Sequence, residues 1–510
     1  MSTSDSANRA EDTARALLSQ RIRRVAAVDP EATAFTFGDA TYTWQHVRQA
    51  IDDLDAMLAP YPQARRVGIV LRNRPGPLCA VLATIAGGRA LITLSPHLGD
   101  AGLAEDVIDL APDVIVAEDD DWSRDSLRDA AEQVGAIVVR SGADRALTPL
   151  PAEGTPEPAA RPAGDLAVLM MTSGTTGRPK RVALSYLQMV AAFRAAGTQV
   201  DDASEPRLHS RTAILWASLA HISGLYFVIA HAVEGRTVAL LERFDVQGWA
   251  EVVRRHRPAH VRLAPTALRM VLDADLPSST FESIRAVGSG SAPLSPELAE
   301  AFEERYGIPV LSTYGATEFA GAVAGWSLRD KQKWGSQKRG SVGRAHPGIE
   351  LQVVDRDEGH TLAAGEIGVL CARGGQVPTR DGEWLRTTDL ASLDQDGFLY
   401  IHGRLDDAIN RGGFKIPPTV IEEALEQHPA VLEASAVGLP DDRLGEVPVV
   451  AVTLSGPAEE DELMDFLSRR LTRYQRPVAL RIVGDLPRTP SLKVSRGRVR
   501  ELFVAGADKT

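Results

Sequence analysis

The chain has 510 residues, 44% of them hydrophobic and 24% charged, which excludes a disordered chain and exceeds what one ordinary core organises. The formal net charge is −12 and no run of five Lys/Arg occurs, so nucleic acid is not expected as a partner, although one basic pocket could still take a nucleotide. Two cysteines, Cys79 and Cys371, cannot form a disulfide framework; they read as inert core residues of a reduced, cytoplasmic protein. The N-terminus lacks a basic segment followed by an apolar one, and no 18-residue apolar stretch occurs, so neither a signal peptide nor a membrane span is expected.

In chain order, residues 66–72 read as a short buried strand. Pro75-Gly76-Pro77 reads as a break, and Leu78–Ala86 as an apolar helix. A strand at 113–116, a charged helix at 121–132 and a strand at 136–139 continue the alternation. Such alternation predicts an α/β domain with a largely parallel sheet. The Pro/Ala-rich residues 148–163 read as an exposed connection to a strand at 166–171. From Gly348 short strands with turns between them appear, at 350–354, 366–372 and 398–402, and predict a β-rich subdomain. Beyond Gly403 come a charged segment (404–411), a helix at 420–427, a strand at 434–437, a helix at 461–474 and a strand at 479–483. Leu463, Phe466, Leu467 and Leu471 give the helix at 461–474 its 3.6-residue period. The expected architecture is α/β: a large multi-layer N-terminal domain, residues 1–403, with a β-rich subdomain, and a small separate α+β C-terminal domain, residues 404–510.

Four segments carry chemistry. Met171–Lys180, MTSGTTGRPK, sets Thr172, Ser173, Gly174, Thr175, Thr176 and Gly177 ahead of Lys180, directly after a strand. Its glycines permit a tight turn and its N–H groups a phosphate nest. It is not a Walker A loop, since Arg178-Pro179 separates Gly177 from Lys180. Ser312–Glu318, STYGATE, offers the flat ring of Tyr314 for a base, and Glu318 for Mg²⁺, although alone it is an ordinary turn. Arg386–Gly413 holds Asp389 in a Thr-Thr-Asp turn suited to a ribose diol, and Arg404 at a strand end. Asp394 and Asp396 read as plain turn residues. In PRTPSLKVSR, Lys493 stands as a single point charge between a turn and a basic helix.

In this order and at these separations the four segments resemble the adenylate-forming superfamily of acyl- and aryl-CoA synthetases, luciferase and peptide-synthetase adenylation domains. The resemblance covers residues 30–505. VRLAPTALRMVL (261–272) resembles the family's Pro-Thr helix entry, and SIRAVGSGSAPLSPEL (283–298) its segment beside adenine. The resemblance implies that residues 172–180 hold the β- and γ-phosphates and that Gly290, Ser291, Ala292 and Pro293 border the adenine, with Tyr314 and Gly315 against it. It implies that Thr317 and Glu318 meet phosphate and Mg²⁺, that Asp389 and Arg404 hold the ribose, and that Lys493 bridges the reacting oxygens. The resemblance alone implies that the C-terminal domain is mobile: Asp406 falls at the hinge, and Gly412 and Gly413 at the transfer face. His221, in LAHISG, matches the residue that gates the acyl pocket. Arg181, Tyr186 and Leu492 depart from the family pattern of Gly, His and Gly.

The resemblance implies ATP-dependent activation of a carboxylic acid as acyl-AMP, then acyl transfer. No Asp or Glu lies within 214–233, which argues against an amino acid bearing an α-ammonium. Gly288, Ser289 and Gly290, with Trp216, Tyr226 and Phe319, point to an aromatic or medium-sized apolar acid. CoA is the expected acceptor, helped by Gly412-Gly413-Phe414-Lys415. A carrier-protein thiol, an amine acceptor and a non-catalytic nucleotide binder share the same motifs, and the oligomeric state leaves no mark. Retention of Glu318, Asp389, Arg404 and Lys493 together argues against the mere binder.

Overall fold

The computed structural model describes residues 3–142, 147–151, 163–172, 180–201, 205–379, 382–405, 407–411, 414–441, 443–489 and 492–504. The chain packs as two compact units. The first holds the residues up to 349 together with 373–383, and the second holds 350–372 and 384 onward.

In the first unit a seven-stranded sheet is built on parallel strands Ile137–Ser141, Val114–Ala117, Arg66–Val70, Ala90–Leu94 and Leu166–Thr172. Antiparallel strands Leu147–Pro149 and Lys180–Ser185 close its edges. The central strands are buried throughout, as parallel strands covered on both faces must be. Helix Trp44–Leu58 shows how its cover forms: Val47, Ala50, Ile51, Leu54 and Leu58 recur at helical spacing and are buried, while Thr43 and His46 close a capping box. A second sheet joins His209–Leu215 and Arg236–Leu240 to Thr33–Phe37 and Ala40–Thr43. A third begins with parallel strands His260–Arg262, Ala286–Ser289 and Val310–Ala316 and turns antiparallel at Gly321–Gly325 and Arg344–Ala345.

The second unit contains the four antiparallel strands Ile349–Val354, Gly368–Gly374, Leu385–Leu393 and Leu399–Arg404. It also holds a five-stranded sheet around the hairpin Val431–Asp441 and Gly445–Leu454, covered by helices Pro418–Glu426 and Glu460–Ser468. Packing therefore groups the β-rich strands with the C-terminal residues.

Three expected elements differ. Pro75-Gly76-Pro77 does not break the chain but forms the first turn of helix Pro75–Ala86, where the missing proline N–H would be unpaired anyway. The charged helix at 121–132 is two helices, Asp119–Trp122 and Asp125–Gln133, divided beside Asp121, whose carboxylate is fully buried against Arg72. The helix expected to reach 474 ends at Ser468. Arg476 Nε donates to the Leu471 carbonyl at 3.1 Å and Arg411 to that of Tyr474 at 3.0 Å, so side chains serve carbonyls that helical N–H groups would otherwise satisfy. Cys79 and Cys371 are both buried, and burial raises the Cys371 thiol above its usual range, which suits inert residues. No described helix is long and apolar enough to cross a membrane.

His231 supplies a pH test of this core. Its imidazole bonds to the Phe227 carbonyl at 2.7 Å and stacks on the Phe227 ring. Burial, with help from Arg236 and Arg262, lowers it to about 4. The unfolded chain takes up a proton near the ordinary value and the folded chain refuses it. Stability is therefore full above pH ~6.5 and falls as pH drops toward 4, by roughly 3 kcal/mol from this group. Urea midpoints of wild type and His231→Gln should converge as pH falls through that window; parallel curves would refute the assignment.

Candidate active site

Ligands of α/β sheets bind beyond the carboxyl ends of parallel strands, where loops diverge. In the first unit's third sheet those ends belong to Arg262, Ser289 and the residues after Ser312, held in register as Arg262↔Gly288 and Ser289↔Ser312. Gly290–Pro293 leaves the second strand there, and Tyr314 and Gly315 end the third. Thr317, Glu318 and Phe319 then form a 3₁₀ turn. Close backbone approach explains the glycines. A Cβ on Gly290 would lie 2.5 Å from Thr313 Oγ1, and one on Gly315 only 2.2 Å from the Gly321 carbonyl oxygen. The Thr313 hydroxyl donates to the Ser289 carbonyl at 3.3 Å. Ser291 (φ 72°) and Ala320 (φ 54°) occupy the left-handed region, a strain that clusters at ligand sites. Glu318 is exposed, while Phe319 is buried in packing and does not line a pocket.

The Gly/Thr-rich segment lies in sequence between two antiparallel strands, Leu166–Thr172 and Lys180–Ser185. Thr172 and Lys180 face each other in register at its base, and Ser173, Gly174, Thr175, Thr176 and Gly177 lie outside the described residues. The family departures beside it serve the fold. Arg181 donates to the Thr93 carbonyl at 2.8 Å and pairs with Asp106. Tyr186 is fully buried, its hydroxyl donating to the Arg89 carbonyl at 2.7 Å.

His221 is the N-cap of helix Ile222–Glu234. Sequence reasoning missed what positions it. Buried Asn73 accepts from the Leu219 N–H at 2.9 Å, and its amide nitrogen lies 3.1–3.2 Å from the Trp216, Ala217 and Leu241 carbonyls. Gly224 lets the helix start against that loop, since a Cβ there would sit 2.3 Å from the Ser218 carbonyl oxygen. A lone Asn after a strand carries no signal; the glycine of HISG did. Arg262 was missed as well. It is open to water yet so surrounded by protein that burial lowers its guanidinium below the usual range, and no carboxylate offsets this among the described residues.

In the second unit, Asp389 and Arg404 are cross-strand partners. Arg404 donates to the Thr388 hydroxyl at 2.7 Å, and the Asp389 N–H donates to the Thr387 hydroxyl at 3.1 Å. Lys493 is held by a turn in which Thr489 N–H donates to the Lys493 carbonyl at 2.7 Å and Lys493 N–H to the Thr489 hydroxyl at 3.2 Å. Burial, then the charge of Arg404, pushes the Lys493 ammonium below its usual range. An anion beside the two cations would offset both costs. Leu492, where the family has Gly, keeps the glycine-like conformation at φ 64°. Asp406, Gly412 and Gly413 lie outside the described residues.

The model of the family described as AMP-binding enzyme matches residues 22–379, and that of the AMP-binding enzyme C-terminal domain matches 420–493. The chain belongs to the AMP-binding enzyme family. As a member of this family it activates a carboxylic acid with ATP and then transfers the acyl group. The AMP-binding enzyme is 36% identical to a sulfoacetate–CoA ligase of Cupriavidus necator, over 73% of this chain and 74% of that one. It superposes on the o-succinylbenzoate CoA synthetase of Bacillus subtilis in complex with an acyl-adenylate intermediate with TM-score 0.74, at 27% identity over 94% of this chain and 97% of that one. It superposes on the amide bond synthetase McbA of Marinactinospora thermotolerans with TM-score 0.78, at 27% identity over 95% and 99%.

Two substitutions check this AMP-binding enzyme's framework. Asn73→Ala orphans the Leu219 N–H and should cost about 2 kcal/mol in the urea midpoint while raising KM for the acid. Leu492→Gly should leave the midpoint within ~0.5 kcal/mol, because relieved φ strain offsets lost packing, whereas β-branched Leu492→Ile should cost about 1 kcal/mol. Equal effects of Gly and Ile would contradict the conformation.

Proposed function

We propose that this AMP-binding enzyme is an acid–CoA ligase. The acid's carboxylate oxygen attacks the α-phosphorus of ATP, the bond to pyrophosphate breaks, and an acyl-AMP remains. The CoA thiol, losing its proton, then attacks the acyl carbon and AMP leaves. In this reading residues 172–180 hold the β- and γ-phosphates. Tyr314 and Gly315 lie against the adenine, bordered by Gly290, Ser291, Ala292 and Pro293. Asp389 and Arg404 hold the ribose, and His221 gates the acyl pocket. Lys493 carries its charge to the developing negative charge at the α-phosphate, where a fixed donor acts most strongly.

Mg²⁺ fits the donors present: one exposed carboxylate, Glu318, beside the Thr317 hydroxyl, with the remaining positions left to phosphate oxygens and water. Bound there, it would neutralise phosphate charge. The observation that carries the reading is the gathering of 288–293 and 313–318 at the carboxyl ends of adjacent parallel strands. The pairing of two cations, Lys493 and Arg404, supports an anionic ligand for the second unit.

The C-terminal residues beyond Gly403 are read as the mobile domain, swinging at Asp406 to exchange Lys493 for Gly412 and Gly413. Transfer to an amine is the second reading, favoured by the likeness to the amide bond synthetase over nearly the whole chain. A carrier-protein thiol is a variant of the first.

Lys493→Ala should slow acid-dependent pyrophosphate release roughly 10²–10³-fold. Near-normal release would remove Lys493 from the chemistry. Mass spectrometry of products from ATP, Mg²⁺ and a panel of acids, with CoA in one arm and amines in the other, decides the acceptor: acyl-CoA supports the ligase, and amides formed only with amines overturn it.

A further inference from the structure

Arg262 ends the edge strand His260–Arg262, and its side chain lies over Gly288 of the next strand, 3.6 Å from where a Cβ would be. Its carbonyl accepts the Trp216 indole N–H at 2.7 Å, which fixes the strand end beside the loop leading to His221. Tyr226, on the helix that His221 caps, and His346, after the strand Arg344–Ala345, both feel its charge. Glycines make the space. The Tyr226 ring packs over Gly321, 3.4 Å from its Cβ position, and His346 Nε2 lies 2.8 Å from that of Gly325. These two neighbours are thus aromatic rings packed against backbone, and His346 is lowered toward neutrality, chiefly by burial.

Arg262 is open to water yet crowded by protein at the carboxyl end of its strand, and no carboxylate pairs with it among the described residues, so an anion arriving there would meet an unpaired guanidinium. Arg236, whose charge also reaches His231, differs in being paired with Glu234. The segments read as phosphate-binding are other stretches of the sequence, residues 172–180 and Thr317–Glu318. Arg262 instead stands with Trp216 and Tyr226, the residues read as the acyl pocket.

We propose that Arg262 binds a second anionic group on the acid substrate, a carboxylate or sulfonate at the end remote from the carboxylate that is adenylated. The acid is then a short-bodied dianion rather than the apolar acid expected from residue size alone. This rests on the acid–CoA ligase reading above.

The test measures kcat/KM for pyrophosphate release with length-matched acids: a monoanion, a dicarboxylate and a sulfonated carboxylate. Wild type should prefer one or both dianions by roughly 10²-fold, and the two arms show which anion fits. Arg262→Gln should abolish that preference through KM, Arg262→Lys should retain part of it, and the thermal shift given by ATP alone should be unchanged in both. A wild type that prefers the monoanion, or an Arg262→Gln that keeps its preference or loses the ATP shift instead, overturns the proposal. Absence of release with every acid would instead count against the ligase reading itself.

Discussion

The parallel ladder joining His260–Arg262, Ala286–Ser289 and Val310–Ala316 is the constraint on which the first unit's site depends. Parallel strands bring the same ends of successive segments to one edge. Three stretches of sequence, the last two separated by some twenty residues, therefore deliver Arg262, Gly290–Pro293 and Tyr314–Glu318 to a common place. The approach is close enough that Gly290 and Gly315 tolerate no Cβ, and Ser291 and Ala320 are held in conformations that side chains disfavour.

Crowded positive charge is the second theme. Many arginines here are paired, as Arg72 is with Asp121 and Arg181 with Asp106. Arg262 in the first unit and the Lys493–Arg404 pair in the second are burdened by desolvation or mutual repulsion. An enzyme handling triphosphate and carboxylates benefits from such sites, because a cation whose cost is met in folding needs no reorganisation when the anion binds.

Positions where the sequence departs from its family divide by location. Arg181 and Tyr186 are absorbed into the first unit's packing, and their hydrogen bonds reach carbonyls of the fold rather than open space. Leu492 takes a left-handed backbone conformation, which glycine adopts without strain, in the turn that presents Lys493. Pro75 shows the reverse: a residue read locally as a breaker begins a helix, because the buried face of Leu78–Ala86 outweighs the turn signal of Pro-Gly-Pro.

The sequence by itself determined the family, the α/β character and the identity of the chemical segments, because phosphate nests, buried strands and helical stripes are local patterns written in consecutive residues. It also sufficed to single out Lys493, Asp389 and Arg404. Only the tertiary structure decided that Asn73 pins the loop before His221 through partners some 140 to 170 residues away, that Phe319 is buried in packing rather than lining a pocket, and that the β-rich strands pack with the C-terminal residues. It alone set Arg262 at the carboxyl end of its strand without a carboxylate partner among the described residues. The physical reason is that desolvation and pairing depend on which residues come together from distant parts of the chain, and an arginine reads the same in sequence whether water or a closed pocket surrounds it.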